Sequence, residues 1–239
     1  MSVSLPTSLT NNTLVESSFD LRCDFKQLVE VVAVQLLEKY SEKSIKGLER
    51  LPTLQLPEAV WQNDPNLANA PLYQITTANA CLQIARSGVR YVCQSSYPGW
   101  NSFAEGVRDF LKFFLEKIQI SSLNRIGVRY INFFDRNAAE VCKMSSFDSG
   151  LDFSRVVFNH TDIFQKDEFV IKTVIANNAL LKGVQKGSLF DIDVYCVEKS
   201  LLKFDSVISC IDALHTLCKQ TYFASLNDSF LKSLGPKYE

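Results

Sequence analysis

Hydrophobic and polar positions alternate in several stretches of the chain, and this period of two predicts β-strands with one buried face. The first stretch is residues 15–23, where Phe19, Leu21 and Cys23 alternate with charged side chains. Similar patterns predict strands at residues 125–134, 155–158, 168–176 and 188–197. The chain is therefore expected to form a substantial β-sheet.

A β-hairpin is predicted immediately before residue 95, with Ser87-Gly88 as its two-residue turn. In this register, one face of the hairpin is mainly apolar and consists of Leu82, Ile84, Tyr91 and Cys93. The other face consists of Gln83, Arg90 and Gln94. Cys81 and Cys93 then lie on opposite faces, so we expect no disulfide between them.

Apolar residues at helical spacing predict several helices. The clearest is at residues 102–118, where Ser102 and Glu105 match a capping box and apolar side chains form one stripe. The others are predicted at residues 26–42, 205–221 and 229–234.

The order of these elements favours an α+β fold, with a mainly antiparallel sheet and helices packed on one side, because regular βαβ alternation is missing. Residues 1–13 are polar and are predicted to form a flexible N-terminus, followed by a single domain at 14–239. The charged run at 38–50 is interpreted as a solvated helix face and loop. Four prolines at 51–71 indicate an irregular connection or an edge strand.

The amino-acid composition of the chain indicates which classes of binding partner to expect. The 239 residues include 25 Lys and Arg against 26 Asp and Glu, so a nucleic-acid partner is not expected. No apolar run is long enough to span a membrane, and the N-terminus does not resemble a signal peptide, so we expect no membrane association and a cytoplasmic location. Seven scattered cysteines without a CxxC pair are typical of reduced core thiols.

Recognisable catalytic chemistry is sparse. His160 lies in a predicted turn and His215 in a predicted helix, and we interpret both as structural. The sequence carries no nucleophile elbow, phosphate-binding glycine loop, HExxH motif or paired Cys/His metal spacing. We therefore predict no cofactor and favour a protein that is not an enzyme.

Four charged residues could form a site. The strand periodicity places Arg125 and Arg129 on one face, and Asp191 and Asp193 on one face of a later strand. The arginines could bind a phosphate or carboxylate, and the aspartates could hold a divalent cation, although a third acidic ligand is missing. The alternative, which we favour, is that all four lie on one sheet face and form ion pairs.

Tyr97 and Trp100 lie between the hairpin and the clearest helix. Aromatic residues in such a turn usually pack under the following helix, and this is the interpretation that we favour. The alternative is that the two rings stack on a ligand.

These segments carry a resemblance. Tyr97-Pro98-Gly99-Trp100, the strand RIGVRYIN at 125–132 and Asp191-Ile192-Asp193-Val194 resemble a sporadically distributed, hypervariable prokaryotic family of uncharacterised proteins. Valine at 128 replaces the leucine that we expect there. The resemblance implies a bacterial or archaeal accessory-genome protein with no established reaction, associated with mobile elements, toxin-antitoxin systems or phage defence.

Two hypotheses about function follow. The first is a non-catalytic binding module, such as the antitoxin, immunity or sensor component of a mobile-element or phage-defence operon. Its partner would be a protein encoded in the same operon or a small anionic ligand, and the chain could form a homodimer. The second is a metal-assisted enzyme for a phosphorylated or nucleic-acid substrate, with the arginines holding phosphate and the aspartates holding the metal.

Overall fold

A computed structural model of the chain describes residues 5–64, 67, 69–94, 97–143, 159–181, 183–197 and 204–238. The predicted strand at 155–158 lies outside the described residues. The first and last described strands are β1 (Ser8–Leu9) and β11 (Pro236–Lys237), which form a two-stranded ladder.

A nine-stranded sheet forms the body of the protein. Its order is β3-β4-β5-β6-β2-β7-β10-β9-β8, and every neighbouring pair is antiparallel. The strands are β2 (Leu14–Phe25), β3 (Ser44–Arg50), β4 (Pro71–Thr77), β5 (Cys81–Ala85), β6 (Gly88–Gln94), β7 (Ile120–Phe134), β8 (Asn159–Lys166), β9 (Phe169–Leu181) and β10 (Gln185–Cys196).

Helices cover one face of this sheet. The described helices are α1 (Val29–Tyr40), α2 (Glu58–Asn63), α3 (Trp100–Lys117), α4 (Ala138–Val141), α5 (Phe204–Ser225) and α6 (Asp228–Ser233), with a 3₁₀ turn at Pro52–Gln55. The α+β fold predicted from the pattern is confirmed. Among the described helices, none has the length and hydropathy needed to cross a membrane.

Alternation along the two central strands explains where the core lies. In β2, Phe19 and Leu21 are fully buried, and in β7 Val128 is fully buried on the same face. Phe110 of α3 packs edge-on against Phe19 at a centroid distance of 6.5 Å, so the long helix seals the middle of the sheet. Each fully buried side chain of this size contributes about 1.5 to 3 kcal/mol to stability.

The turn of the β5–β6 hairpin differs from the prediction. Ala85 pairs with Gly88, so the two turn residues are Arg86 and Ser87. A Cβ at residue 88 would lie 2.3 Å from the carbonyl oxygen of Leu21, so close packing against β2 requires glycine, and the φ of 151° at this residue also favours it. The pairing register differs from the predicted one by two residues. A shift of two leaves every side chain on the same face of the hairpin, so the predicted faces are correct.

Three further expectations about elements are wrong. Helix α3 begins at Trp100 after Gly99, whose φ of 86° stops the helix from extending backwards, so Ser102 and Glu105 do not cap it. The charged run includes the edge strand β3 instead of a loop. His160 lies in strand β8 and not in a turn. Polar edge strands lack the apolar alternation that would have identified them.

The N-terminal segment is joined to the C-terminal segment. Ser8 pairs with Lys237, and the backbone N–H groups of Thr10 and Asn11 donate to the carbonyl oxygens of Gly235 and Leu234 at 3.1 and 3.0 Å. Residues 7–11 therefore have defined hydrogen-bond partners, although they belong to the segment that we predicted to be flexible.

All seven cysteines are buried, and the structure shows no disulfide among them. Burial raises the pKa of Cys23 and of Cys142 to about 12, so both are protonated thiols at neutral pH. We therefore expect intact-mass analysis to count seven alkylated thiols after denaturation and few in the native protein. A mass two hydrogens below that of the reduced chain would reveal a disulfide and contradict this expectation.

Candidate ligand-binding site

A cavity of about 520 Å³ lies between the N-terminal segment, β7, the start of α3, and α5. Its walls are rich in rings, contributed by Tyr97, Trp100, Tyr130, His215, Tyr222 and Phe223. The N-terminal residues 6–9 form part of the wall, and their pairing with β11 fixes them there.

Local structure explains why these rings converge. Tyr130 lies on the helix-covered face of β7 with Ile126 and Val128, because the three residues are two positions apart. His215 lies on α5 three residues before Cys218, so both side chains face the sheet. Gly99 adopts a left-handed φ of 86°, which turns the chain into α3 and brings Trp100 to the cavity.

His215 packs face to face on Trp100. The ring centroids are 3.8 Å apart and the planes differ by 4°. Phe103 supports the indole from another side, with a centroid distance of 5.9 Å. The indole and the imidazole are thus held as a flat aromatic wall.

Three side chains form a hydrogen-bonded chain along this wall. The Tyr130 hydroxyl lies 2.8 Å from Nδ1 of His215 and 3.4 Å from the Tyr97 hydroxyl. Burial lowers the pKa of His215 to about 4, and burial raises the pKa of Tyr97 to about 12 and that of Tyr130 well above its usual value. All three groups are therefore neutral at pH 7, and the tautomer of His215 depends on which way the Tyr130 hydroxyl points.

Thr13 holds two further lining residues, Asn132 and Tyr222, in place. Its hydroxyl donates to Oδ1 of Asn132 at 3.0 Å and lies 2.6 Å from the hydroxyl of Tyr222. The backbone N–H of Phe133 donates to the Thr13 carbonyl oxygen at 2.9 Å. These bonds connect the N-terminal segment, the sheet and α5, so the cavity has a preformed shape.

The candidate stacking residues Tyr97 and Trp100 both line this cavity. They also pack against Phe103 of α3, while stacking of the two rings on a ligand stays a prediction. His215 and Tyr130 were missed as site residues, because each lies in an apolar periodic stripe that sequence reasoning assigns to the core. The only signal was a histidine within the apolar face of a helix.

The arginines and aspartates lie on the other face of the sheet and form ion pairs. Arg129 donates from Nε and Nη2 to the two carboxylate oxygens of Asp191, at 2.8 and 2.6 Å. Arg125 donates to Asp193 at 2.5 Å, and its Nε lies 3.5 Å from Asp20. The predicted placement of the four charges on one sheet face is confirmed.

The pairs are diagonal in the sheet. Asp193 is directly opposite Arg129 in the β7–β10 register, yet it binds Arg125. Gly127 makes this geometry available, because a Cβ there would lie 3.0 Å from Nη2 of Arg125. The guanidinium also stacks 4.0 Å from the centre of the Tyr195 ring.

Both candidate anion-binding guanidinium groups therefore already hold carboxylates. Each candidate metal ligand, Asp191 and Asp193, is likewise bound to an arginine. Among the described residues, no group of three or more His, Cys, Asp or Glu side chains could hold a metal ion. The observed arrangement is the mutual pairing, while the anion-binding and metal-binding alternatives stay predictions.

A scan against protein-family models found no match for this chain, and a search of curated proteins found none either. The family resemblance therefore stays a prediction.

Proposed function

We propose that the protein is a non-catalytic binding module and that the cavity between the N-terminal segment, β7, α3 and α5 binds a small planar organic molecule. The observation that carries the proposal is the cavity itself. Its volume of about 520 Å³ lies within the range of about 300 to 1,000 Å³ that is typical of ligand pockets.

The chemistry of the walls supports a planar ligand. Six ring-bearing side chains line the space, and the other lining residues include hydroxyl and amide side chains such as those of Ser8 and Asn132. Aromatic walls favour flat ligands because offset stacking and edge contacts both add to the apolar contact. The few polar groups would then orient the ligand.

Binding suits this cavity better than catalysis. The Cys218 thiol is fully buried and donates to the Val128 carbonyl oxygen at 3.4 Å, and burial holds its pKa well above the usual value. It is therefore a poor nucleophile. His215 has one ring nitrogen engaged by Tyr130 and stacks on Trp100, which restrains the ring.

At the level of biology, a ligand cavity fits a sensor better than an antitoxin or an immunity protein. In a sensor, the ligand would be the signal, and a protein encoded in the same mobile-element or phage-defence operon would receive it. Pull-down from the native host with and without added small-molecule extract tests this, because a sensor's partner should be captured to different extents in the two conditions.

The proposal is tested with naphthamide, a neutral bicyclic aromatic probe, by isothermal titration calorimetry. We expect one saturable site per chain. Trp100→Leu should weaken binding at least about tenfold, because the flat wall is lost and each tenfold change needs only about 1.4 kcal/mol.

Trp61→Leu is the matched control, because Trp61 lies beside Arg86 and does not line the cavity. Affinity should be unchanged in this variant. Equal losses in the two tryptophan variants, or binding that does not saturate, would defeat the assignment of the cavity.

A further inference from the structure

Among the described residues, the lining of the cavity includes one lysine, Lys219, and no acidic side chain. We propose that the ligand of this cavity carries an anionic group, a carboxylate or a phosphate, that is bound by the ammonium group of Lys219. This inference rests on the proposed function and narrows its ligand to a planar aromatic anion.

The first support is the composition of the wall. Among the described residues that line the cavity, Lys219 is the only one that is charged at pH 7, and none is Asp or Glu. Within the described part of the chain, Lys219 forms no ion pair. The cavity therefore has a net positive wall.

The second support is the position of Lys219 on α5. It follows His215 by four residues and precedes Tyr222 by three, so the three side chains share one side of the helix. All three line the cavity. An anionic group near Lys219 would thus leave the ring of the same ligand within reach of the aromatic wall.

Physical chemistry favours such a ligand over a neutral one. Lys219 is partly buried, and the surrounding rings lower the local dielectric, so its interaction with an anion is stronger than at an open surface. An ammonium–carboxylate hydrogen bond is also shorter and stronger than a neutral one. The charge of Lys219 is already felt within the cavity, where it contributes to the lowered pKa of His215.

The test compares naphthoate with naphthamide, since the two probes share size and shape and differ in charge. Calorimetry on the full chain at pH 7 should show naphthoate binding at least about tenfold more tightly, and the ratio should fall with added salt. Lys219→Met should reduce the ratio to about one, and Lys219→Arg should restore most of it. Lys112→Met, an exposed lysine on α3, should leave the ratio unchanged.

The outcomes separate this inference from the proposed function. Equal affinity for the two probes in the natural protein, or a preference that survives Lys219→Met, would overturn the role of Lys219 while the cavity proposal stands. Binding of neither probe would overturn both. Replacing the carboxylate probe by naphthyl phosphate identifies the preferred anion, and tighter binding of either anion than of naphthamide supports the inference.

Discussion

Replacing Arg125 with methionine is expected to lower the free energy of unfolding by about 3 kcal/mol. The Arg125 and Asp193 side chains are only 12% and 16% exposed, and Arg125 is the one ion-pair partner of Asp193 among the described residues. Methionine keeps much of the side-chain volume over Gly127 but leaves a buried carboxylate without its cation. Urea denaturation of the natural protein and the variant measures the loss.

A double-mutant cycle shows whether the loss comes from the pair. Arg125→Met combined with Asp193→Leu should be less destabilised than the sum of the two single variants, because no unpaired charge remains. The matched control is Arg108→Met at the exposed pair with Asp212, where the side chains are 44% and 49% exposed. That change should cost less than about 1 kcal/mol. Additive losses at Arg125 and Asp193 would show that the pair is not coupled.

Acid should destabilise the protein through His215. Its pKa is lowered from 6.5 to about 4 in the folded state by burial and by the charge of Lys219, so the folded protein prefers the neutral ring. The stability that depends on a neutral His215 is fully present above pH 6.5. It is lost as the pH falls from about 6.5 to about 4, because the unfolded chain then binds a proton that the folded chain does not. After allowance for partial exposure, we expect a loss of about 2 kcal/mol.

His215→Phe isolates this contribution, since phenylalanine can still stack on Trp100 but cannot titrate. Between pH 7 and pH 4, the natural protein should lose about 2 kcal/mol more of its unfolding free energy than the variant does. A constant difference between the natural protein and His215→Phe across this range would show that His215 titrates normally.

Much of the fold could be predicted from the sequence, because the central strands are buried on one face. The alternation in β2 identified Phe19, Leu21 and Cys23 as inward-facing, and all three are fully buried. The same reasoning placed Arg125 and Arg129 together on the other face of β7. Such a pattern fixes the face of each side chain and not its partner.

The choice of ion-pair partners and the edge strands of the sheet could not be predicted from the sequence pattern. The diagonal choice of Arg125 for Asp193 depends on the space above Gly127, which is defined only when β7 and β10 are in register. Strands β3 and β8 lie at the edges of the sheet and are largely polar, so they resemble loops in sequence.

Only some of the residues that line the cavity could be predicted from the sequence. Tyr97 and Trp100 were identified because they flank a glycine turn before a strong helix. Tyr130 and His215 lie about 30 and about 115 residues after Trp100 in the chain. They meet because α5 packs onto β7. Residues 6–9 line the cavity because β1 pairs with β11. These two strands are short and lie at opposite ends of the chain, so no sequence pattern predicts their pairing.

The most direct measurement of the central claim is a nuclear magnetic resonance titration of the full chain with naphthoate. The chain has two tryptophans, so their two indole N–H signals act as reporters at different places. We predict that the Trp100 signal shifts in a saturable manner, together with backbone amides of residues 7–9 and 215–223, while the Trp61 signal stays in place. A shift of Trp61 with Trp100 unchanged, or no saturable shift of either signal, would contradict the assignment of this cavity as the binding site.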